Sequence, residues 1–514
     1  MNAAKTNIDE FDLSTNVSAL LKGIICVIGV TKRGPIDRPD ILIKSWPQFE
    51  KLYGGLITTS DFPLYCKLML EAGVTLRVKR VLSSANVVTS TLPVVASSIK
   101  GIGDSGAQPL FNLTPKYPGS DYNNLTCVIS AASNGQATYF NLEIKHSVDT
   151  SINEKYENLT IPGKPNVVNS TYLNDVAGGS SLVNVVYYDL SALTGSTLRP
   201  VNGTSAYASG ANGDAIVAND YVTGATQFDG ISDSITLMAP EIDVIAGGPS
   251  TNVVPIGLST YVAARKNMDY VCHMANSISS VANLVTARLD LLIDSSYTHF
   301  YAGGTKWVDP VTNVTKNISA LPDIAIAMTK SDLQYGEQYS YAGLTRGYIP
   351  NRVGVVNNFA SAGDLDTLAN AQINVVIRKN NKLVIWGNFT GQYSNSKLSQ
   401  ISVRRFLNKL KLELTPVLES YLEEPNDPLT WKNLYYEVKP TLDGYASASS
   451  RALNSYTWFG DQFVKSINDV VTNTLSDLNQ GKYKAKLSLD IVNAIREINL
   501  GIYVTKSGAT IEEI

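Results

Sequence analysis

Residues 24–55 read IICVIGVTKRGPIDRPDILIKSWPQFEKLYGG, and this stretch decides the fold class. Ile24, Ile25, Val27, Ile28 and Val30 form a short apolar run rich in β-branched residues, the pattern of a strand covered on both faces. Gly34-Pro35 marks a turn, and Ile41, Leu42 and Ile43 give a second short strand. Ser45 is placed to cap a helix, with Gln48 completing a capping box. Pro47 falls in the first turn, where no intrahelical bond is lost. Phe49, Leu52 and Tyr53 form the apolar stripe of that helix, and Gly54 ends it. Asp61 is placed to cap a second helix, with Tyr65, Leu68, Met69 and Ala72 as its stripe and Gly73 as its end. Val74–Val81 then alternates, with Val74, Leu76 and Val78 on one face and Thr75, Arg77 and Lys79 on the other. The stretch is an α/β scaffold with no catalytic machinery in it.

Working outward, 514 residues call for more than one domain. A composition of 44% hydrophobic and 17% charged residues is that of a globular protein, and a net charge of −3 gives no bulk attraction for nucleic acid. No run approaches the roughly eighteen apolar residues of a membrane span, so no membrane insertion is expected. The first residues, MNAAKTNIDEFDLSTNV, lack an apolar core and carry Asp9, Glu10 and Asp12, unlike a secretory signal. Cys26, Cys66, Cys127 and Cys272 show no CxxC spacing and read as reduced thiols.

The chain divides by texture. Residues 1–20 are polar and turn-prone, like an extended arm, and 21–86 hold the α/β block. Residues 87–230 change character: short β-type runs (Val87–Val95, Leu125–Ser130, Tyr139–Ile144, Leu182–Leu190) alternate with Asn, Gly, Ser and Pro clusters, which predicts an inserted β-rich domain. Helix-strand rhythm returns over 231–350. It predicts strands at Ile242–Ala246, Met268–Met274 and Tyr297–Ala302 and helices at Leu258–Lys266, Ser280–Leu291 and Pro322–Asp332. Residues 351–497 hold an Asn380-Asn381 hairpin, a long helix over Ile401–Leu422 closed by Pro425 and Pro428, and a second helical pattern over Trp458–Gln480. Leu487, Leu489 and Ile491 alternate as a strand, and so do Ile498, Leu500, Ile502 and Val504 in the last segment, 498–514. The fold class is α+β multidomain, an α/β core split by an inserted β-rich domain.

Catalytic signatures are missing. Gly101, Gly103 and Gly106 form a GxGxxG, but Pro109 follows at once and no helix opens there, so a loop is expected rather than a dinucleotide site. His146, His273 and His299 have no metal-ligand spacing, and there is no HExxH, nucleophile elbow or P-loop. The adjacent pairs Glu423-Glu424 and Glu512-Glu513 read as a solvated turn and tail. No enzymatic activity, metal or cofactor is expected. Arg404, Arg405, Lys409 and Lys411 put basic residues on the long helix, either as a solvated face or as a charged surface offered to a partner.

Several segments, in order, resemble the tail sheath proteins of contractile-tailed bacteriophages. They are the opening block with its TKRGP turn and SWPQFEKLYGG helix; PEIDVIAGGPSTNVVPIGLSTYVAARKNMDYVCHM (240–274); SSYTHFYAGGTKWVDP (295–310); LPDIAIAMTKSD (321–332); NKLVIWGNFT (381–390); ISVRRFLNKLKLELTPVLESYLEEPNDPLTWKNL (401–434); and KLSLDIVNAIREINLGIYVTKS (486–507). Gly303-Gly304 stand near the place where the family usually has a proline, so that match is partial, and Ile385 interrupts its VWG element. Residues 87–230 carry none of the likeness.

The resemblance implies a structural subunit that stacks as hexameric rings around an inner tail tube and contracts to drive the tube through a host envelope for genome ejection. The implied partners are further copies of the chain, the tail tube protein, and the baseplate and tail terminator proteins. The implied location is the virion tail, assembled in the bacterial host cytoplasm. Extended N- and C-terminal arms are expected to exchange strands with neighbouring subunits. The candidates are Asn7, Phe11, Leu13 and Val17 in one arm and Ile498, Leu500, Ile502 and Val504 in the other. Arg404, Arg405, Lys409 and Lys411 are the candidate tube-facing residues. A sheath of a phage-derived device, an R-type bacteriocin or extracellular injection system, fits the same residues. A reading from another class is a surface carbohydrate-binding protein acting through 87–230.

Overall fold

A computed structural model of the chain describes residues 23–89, 111–160, 180–187, 199–231, 233, 235–460 and 473–496. Strand β1 (Ile24–Gly29) is buried along its whole length, and β2 (Leu42–Ile43) follows a turn in which Gly34 takes a φ of 105°. Ser45 caps α1 (Trp46–Tyr53) by accepting the Gln48 N–H. The return bond of the box lands one residue early, on Lys44 N at 2.9 Å from Gln48 Oε1. Helix α2 (Phe62–Glu71) starts after Asp61, but Asp61 makes no capping bond; Ser60 Oγ accepts the Phe62 N–H at 3.1 Å instead. Strand β3 (Thr75–Arg80) has both faces covered, not one. Its polar face is buried because its charges find partners. Arg77 makes paired bonds of 2.8 and 2.7 Å to Asp233; on the opposite face Arg80 donates to the carbonyls of Gly34 and Pro118. Burial pushes the Lys79 ammonium down to about 8.

Gly29 ends β1 against α2 so closely that an added Cβ would lie 2.2 Å from the Phe62 ring. Gly29→Ala is therefore expected to cost about 1–3 kcal/mol by overpacking. A lowered urea midpoint at unchanged slope would show it, and Phe62→Leu in the same chain should restore part of the loss.

The middle of the chain is mostly strand: β4 (Val87–Val88), β5 (Phe111–Pro115), β6 (Leu125–Ala131), β7 (Phe140–His146), β8 (Asn153–Leu159), β9 (Val183–Tyr187), β10 (Gly203–Ala206) and β11 (Ala211–Asn212). A four-stranded sheet in the order β10-β6-β7-β8 and the pair β5-β9 enclose one apolar cluster, in which Phe111 stacks on Phe140 at 5.9 Å. β4 and β11 pair antiparallel, Val88 opposite Ala211, so the chain leaves for this unit and returns from it at one place. By α3 (Ala218–Ala225) it is back on the body, where Tyr221 and Ala225 join the core.

The body continues through β12 (Thr236–Val244), α4 (Val253–Arg265), β13 (Asp269–Met274), α5 (Val281–Asp290), β14 (Thr298–Ala302), β15 (Thr305–Val308), β16 (Thr315–Ile318), α6 (Leu321–Gln334), α7 (Gly343–Arg346), β17 (Gly354–Val355), α8 (Ala362–Asn370), β18 (Ile373–Lys379) and β19 (Lys382–Trp386). Its main sheet runs β19-β18-β14-β13-β12-β1-β3-β2, parallel except at the two edges. Two apolar clusters cover its faces, with α1, α2 and α6 on one side and α3, α4, α5 and α8 on the other. β1 serves both: Ile25 and Val27 face the first cluster and Cys26 and Ile28 the second. That is why its sequence is continuously apolar.

β12 starts at Thr236, upstream of the Ile242 expected from the sequence. Pro240 has no N–H for the ladder, and the register jumps from Met238↔Val271 to Asp243↔His273 across it, a bulge that hides the strand from a periodicity reading. At the β18–β19 turn, Asn380 and Asn381 both take positive φ, 50° and 58°, as a two-residue hairpin requires.

The C-terminal unit consists of α9 (Ile401–Glu419), α10 (Pro428–Ala446), β20 (Leu453–Phe459), α11 (Leu475–Asn479) and β21 (Lys486–Ile491). Two expectations change here. Pro428 does not merely close α9 but opens α10, with Asp427 capping it through the Thr430 N–H at 2.8 Å. The helix expected over Trp458–Gln480 is instead strand at Trp458 and Phe459, with only Leu475–Asn479 helical; 461–472 lie outside the described residues.

Candidate assembly interface

Helix α9 joins the C-terminal unit to the body, and its two faces have different chemistry. Val403, Phe406, Leu410 and Leu414 pack on Leu434, Val438 and Leu442 of α10 and on Leu453 and Ile491 of the β20–β21 pair. The other face carries the basic residues expected to meet a tube. The structure places three of the four inside the subunit: Arg404, Arg405 and Lys409 are 5%, 2% and 3% exposed. Lys411 stays on the surface, donating to the Lys266 carbonyl at 2.6 Å.

The reason is a set of acids supplied by the body. Arg405 grips Asp332 of α6 with bonds of 2.8 and 2.5 Å, while its Nε lies 4.0 Å from Asp269 of β13. Arg404 donates to Ser296 Oγ at 2.7 Å and lies 4.1 Å above the Tyr297 ring. Lys409 sits 3.9 Å from Glu337 and 3.7 Å from Glu413. Burial opposes the Arg405 charge, and Asp332 and Asp269 more than offset it. Burial pushes Asp269 up to about 6 although Arg405 and the Thr236 hydroxyl favour its anion. Burial, then the nearby Arg405, pushes His299 down to about 3, so the imidazole beside Asp269 is neutral at pH 7. The cluster fixes α9 to the body rather than facing outward.

The other histidines do not converge on it. His146 ends β7, and His273 lies in β13 with Nδ1 3.0 Å from Asp243. Glu423 and Glu424 are exposed; the GxGxxG glycines and Glu512-Glu513 lie outside the described residues. All four cysteines are buried thiols. Among the described residues no group of three or more His, Cys, Asp or Glu is arranged to hold a metal, and no helix is long and apolar enough to cross a membrane.

The β20–β21 pair is the open part of this unit. Among the described residues these strands pair only with each other. Tyr456, Trp458, Leu487 and Leu489 are half-buried on the helix-facing side, and Asn454, Thr457, Ser488 and Asp490 are exposed on the other. A groove of about 500 Å³ runs between the end of α9 and this pair, lined by Leu414, Leu418, Trp431, Trp458, Tyr483 and Leu487. Trp431 is stacked on Tyr483 at 5.2 Å, and its indole N–H donates to Asn426 at 2.8 Å. The strand-exchange candidates Asn7, Phe11, Leu13, Val17, Ile498, Leu500, Ile502 and Val504 lie outside the described residues.

A second charged joint holds the β-rich unit. Arg33, in the TKRGP turn and 2% exposed, donates to Asp121 at 3.1 Å, to Asp149 at 2.8 Å and to the Glu50 carbonyl at 2.8 Å. Burial would raise the Asp121 carboxyl, but His146 at 3.3 Å and the hydrogen-bonded Arg33 hold it well below the usual range. A carboxylate so held contributes stability above its unfolded value of about 3.9 and loses it as pH falls through the folded one. Asp121→Asn should therefore cost about 1.5–3 kcal/mol at pH 7. The gap from the unsubstituted chain should close as urea unfolding is repeated at progressively lower pH below about 4.

No family model matches the chain, and no curated protein matches it in sequence. Solved structures do. A sheath tail protein of Listeria innocua aligns over 91% of this chain and 95% of its own at 10% identity, with a TM-score of 0.57. The contracted helical sheath of the anti-feeding prophage aligns over 98% and 99% at 13% identity and a TM-score of 0.55, and a sheath tail protein of Desulfitobacterium hafniense over 90% and 94% at 12% and 0.53. The chain has the fold of contractile tail sheath proteins. Within that sheath fold the quoted motifs take definite places. VIWG closes β19, VRRF opens α9 with its arginines turned to the body, and EPND-PLTW is the α9–α10 junction, in which Asn426 holds Trp431 and Asp427 caps α10. Sequence reasoning missed Asp332 and Glu337 as partners of the basic face. The available signal was a carboxylate, Asp332, closing the apolar pattern of 322–332.

Proposed function

We propose that this chain is the structural subunit of a contractile sheath. Copies stack as hexameric rings around an inner tail tube, contact a baseplate and a tail terminator, and contract to drive the tube through a host envelope, ejecting a genome where the particle is a phage. The reading rests on one observation: the likeness to a contracted helical sheath spans nearly the whole of both chains. A baseplate structure of the anti-feeding prophage, aligned over 98% of this chain with a TM-score of 0.55, supports the baseplate contact. In this reading residues 1–20 and 498–514 are the arms. Asn7–Val17 and Ile498–Val504 add strands to a neighbour's β20–β21 pair, joining subunits by backbone hydrogen bonds while side chains set the register.

A phage-derived injection device is an equally good particle, because the anti-feeding prophage and an extracellular contractile injection system supply three of the similar structures. Capsid and terminase genes beside this one would select the phage. Purified full-length protein should form tubular polymers by electron microscopy. Chains lacking 1–20, or everything from Ile498 onward, should fold but remain monomeric. A full-length chain that stays monomeric at high concentration would defeat the assembly reading, and truncated chains that still form tubes would defeat the role of the arms.

A further inference from the structure

The seam between body and β-rich unit is polar. Among the described residues the apolar side chains of that unit form a cluster of their own, sharing no member with the two clusters of the body. Among the described residues the contacts across the seam include Arg33 to Asp121 and Asp149, Lys32 to Asp121 at 3.3 Å, Arg80 to the Pro118 carbonyl at 3.0 Å, and Gly34 N–H to the Tyr122 hydroxyl at 3.3 Å, while Gly119 N–H donates to the Val88 carbonyl at 3.3 Å and Ser120 N–H to Asn212 Oδ1 at 3.0 Å beside the connecting strands. The covalent connection is narrow, the two-residue β4–β11 pair. Units joined without a large apolar interface move relative to one another unless something specific stops them.

We propose that the β-rich unit is mounted as a latched swivel, with the β4–β11 pair as its pivot and the Arg33 guanidinium, bridging Asp121 and Asp149, as the latch that sets its angle. The latch is rigid on the body side. Arg33 N donates to the Tyr53 carbonyl at 3.1 Å, its carbonyl accepts from the Thr31 hydroxyl at 2.9 Å, and its Nη2 is tied to the Glu50 carbonyl. Gly34 beside it has positive φ and room for no side chain, since a Cβ would lie 2.7 Å from the Leu52 carbonyl. The latch is also rigid on the other side. Asp121 comes from the turn before β6 and Asp149 from the β7–β8 turn, so one guanidinium pins two separate points of the unit. His146 braces both: Nδ1 accepts from Val148 and Asp149 N–H at 3.2 and 2.9 Å, which leaves Nε2 to face Asp121 at 3.3 Å. The stability gained from a buried ion pair is small after desolvation, and the role assigned to this one is to fix geometry.

The inference stands apart from the sheath reading and is tested on the labelled full-length chain diluted into an excess of unlabelled chain, so that only within-chain distances are read whether or not tubes form. Spin labels are attached through Gln136→Cys on the β-rich unit and Asp366→Cys on the body, both exposed, while the native cysteines are buried. The latched chain should give one narrow distance peak by pulsed electron resonance. Arg33→Met should lose that peak to a broad spread with circular dichroism unchanged, and Arg33→Lys should fall between. Should Arg33→Met fail to fold, Asp149→Ala removes one arm of the bridge while Asp121 keeps Lys32 and His146, and should broaden the peak alone. A narrow, unshifted peak in a folded Arg33→Met chain or in Asp149→Ala would overturn the proposal.

Discussion

Replacing Arg405 with methionine should lower the unfolding free energy by about 3–5 kcal/mol, because it strands two buried carboxylates without their cation. Asp332 loses two charge-assisted bonds, and Asp269 is left with neutral partners, the Thr236 hydroxyl, a backbone N–H and His299 nearby. The pH dependence gives the loss a signature. Asp269 already has a folded value near 6, above its unfolded one, so it favours the folded state as pH falls from about 6 towards 4 and opposes it above. Without Arg405 that value should rise further. The variant should then regain stability on acidification from pH 7 to 5, and its deficit against the unsubstituted chain should shrink over the same range. Chemical denaturation at the two pH values checks both parts. Arg405→Met with Asp332→Leu should recover much of the loss at pH 7, since an apolar replacement leaves fewer charges to bury; no recovery would mean the bridge supplies packing rather than charge compensation.

The second large effect is expected at Trp431. Trp431→Ala removes a 2% exposed indole, its stack on Tyr483 and its bond to Asn426. The cost should be about 3–5 kcal/mol for an emptied core site. It should fall on the C-terminal unit, whose apolar cluster is separate from those of the body. Amide exchange should quicken in α10, β20 and β21 while β1, β13 and β14 stay protected. If the neighbour's arms dock on β20–β21, tube formation should fail in the same variant. Uniform loss of protection through the body would instead show one cooperative unit.

What the sequence revealed follows the range over which each signal acts. β1, α1, α2 and the Asn380-Asn381 hairpin are set by neighbours within a few residues, and caps, turns and stripes report them directly. β12 was displaced because Pro240 inserts a bulge that no period describes. α10 was missed because a proline after a helix reads as a stop, and the same proline with Asp427 before it is a start. β8, with the sequence NEKYENL, has almost no apolar side to alternate. The basic face of α9 went wrong for a deeper reason. Helical periodicity separates apolar from polar residues but does not say whether the polar side meets water or carboxylates, and Asp332 and Asp269 lie far away in sequence. β3 repeats the lesson with Arg77, whose partner is Asp233. The charges of α9 became the joint between the C-terminal unit and the body, where the structure adds most to the sequence.

Because Val88 stands opposite Ala211, the body meets the whole segment 89–210 as though it were the tip of a hairpin. A hairpin tip can be as short as two residues, and each doubling of a loop costs only about 0.6 kcal/mol in closure entropy. The body is thus nearly indifferent to the size of what it carries there. The segment should tolerate being cut out and closed with Asn-Gly, or exchanged for a compact unit whose ends lie a strand spacing apart, provided Arg33 and Arg80, which lose partners there, are neutralised or given new ones. That socket is a ready place to graft a foreign domain onto every subunit of a polymer.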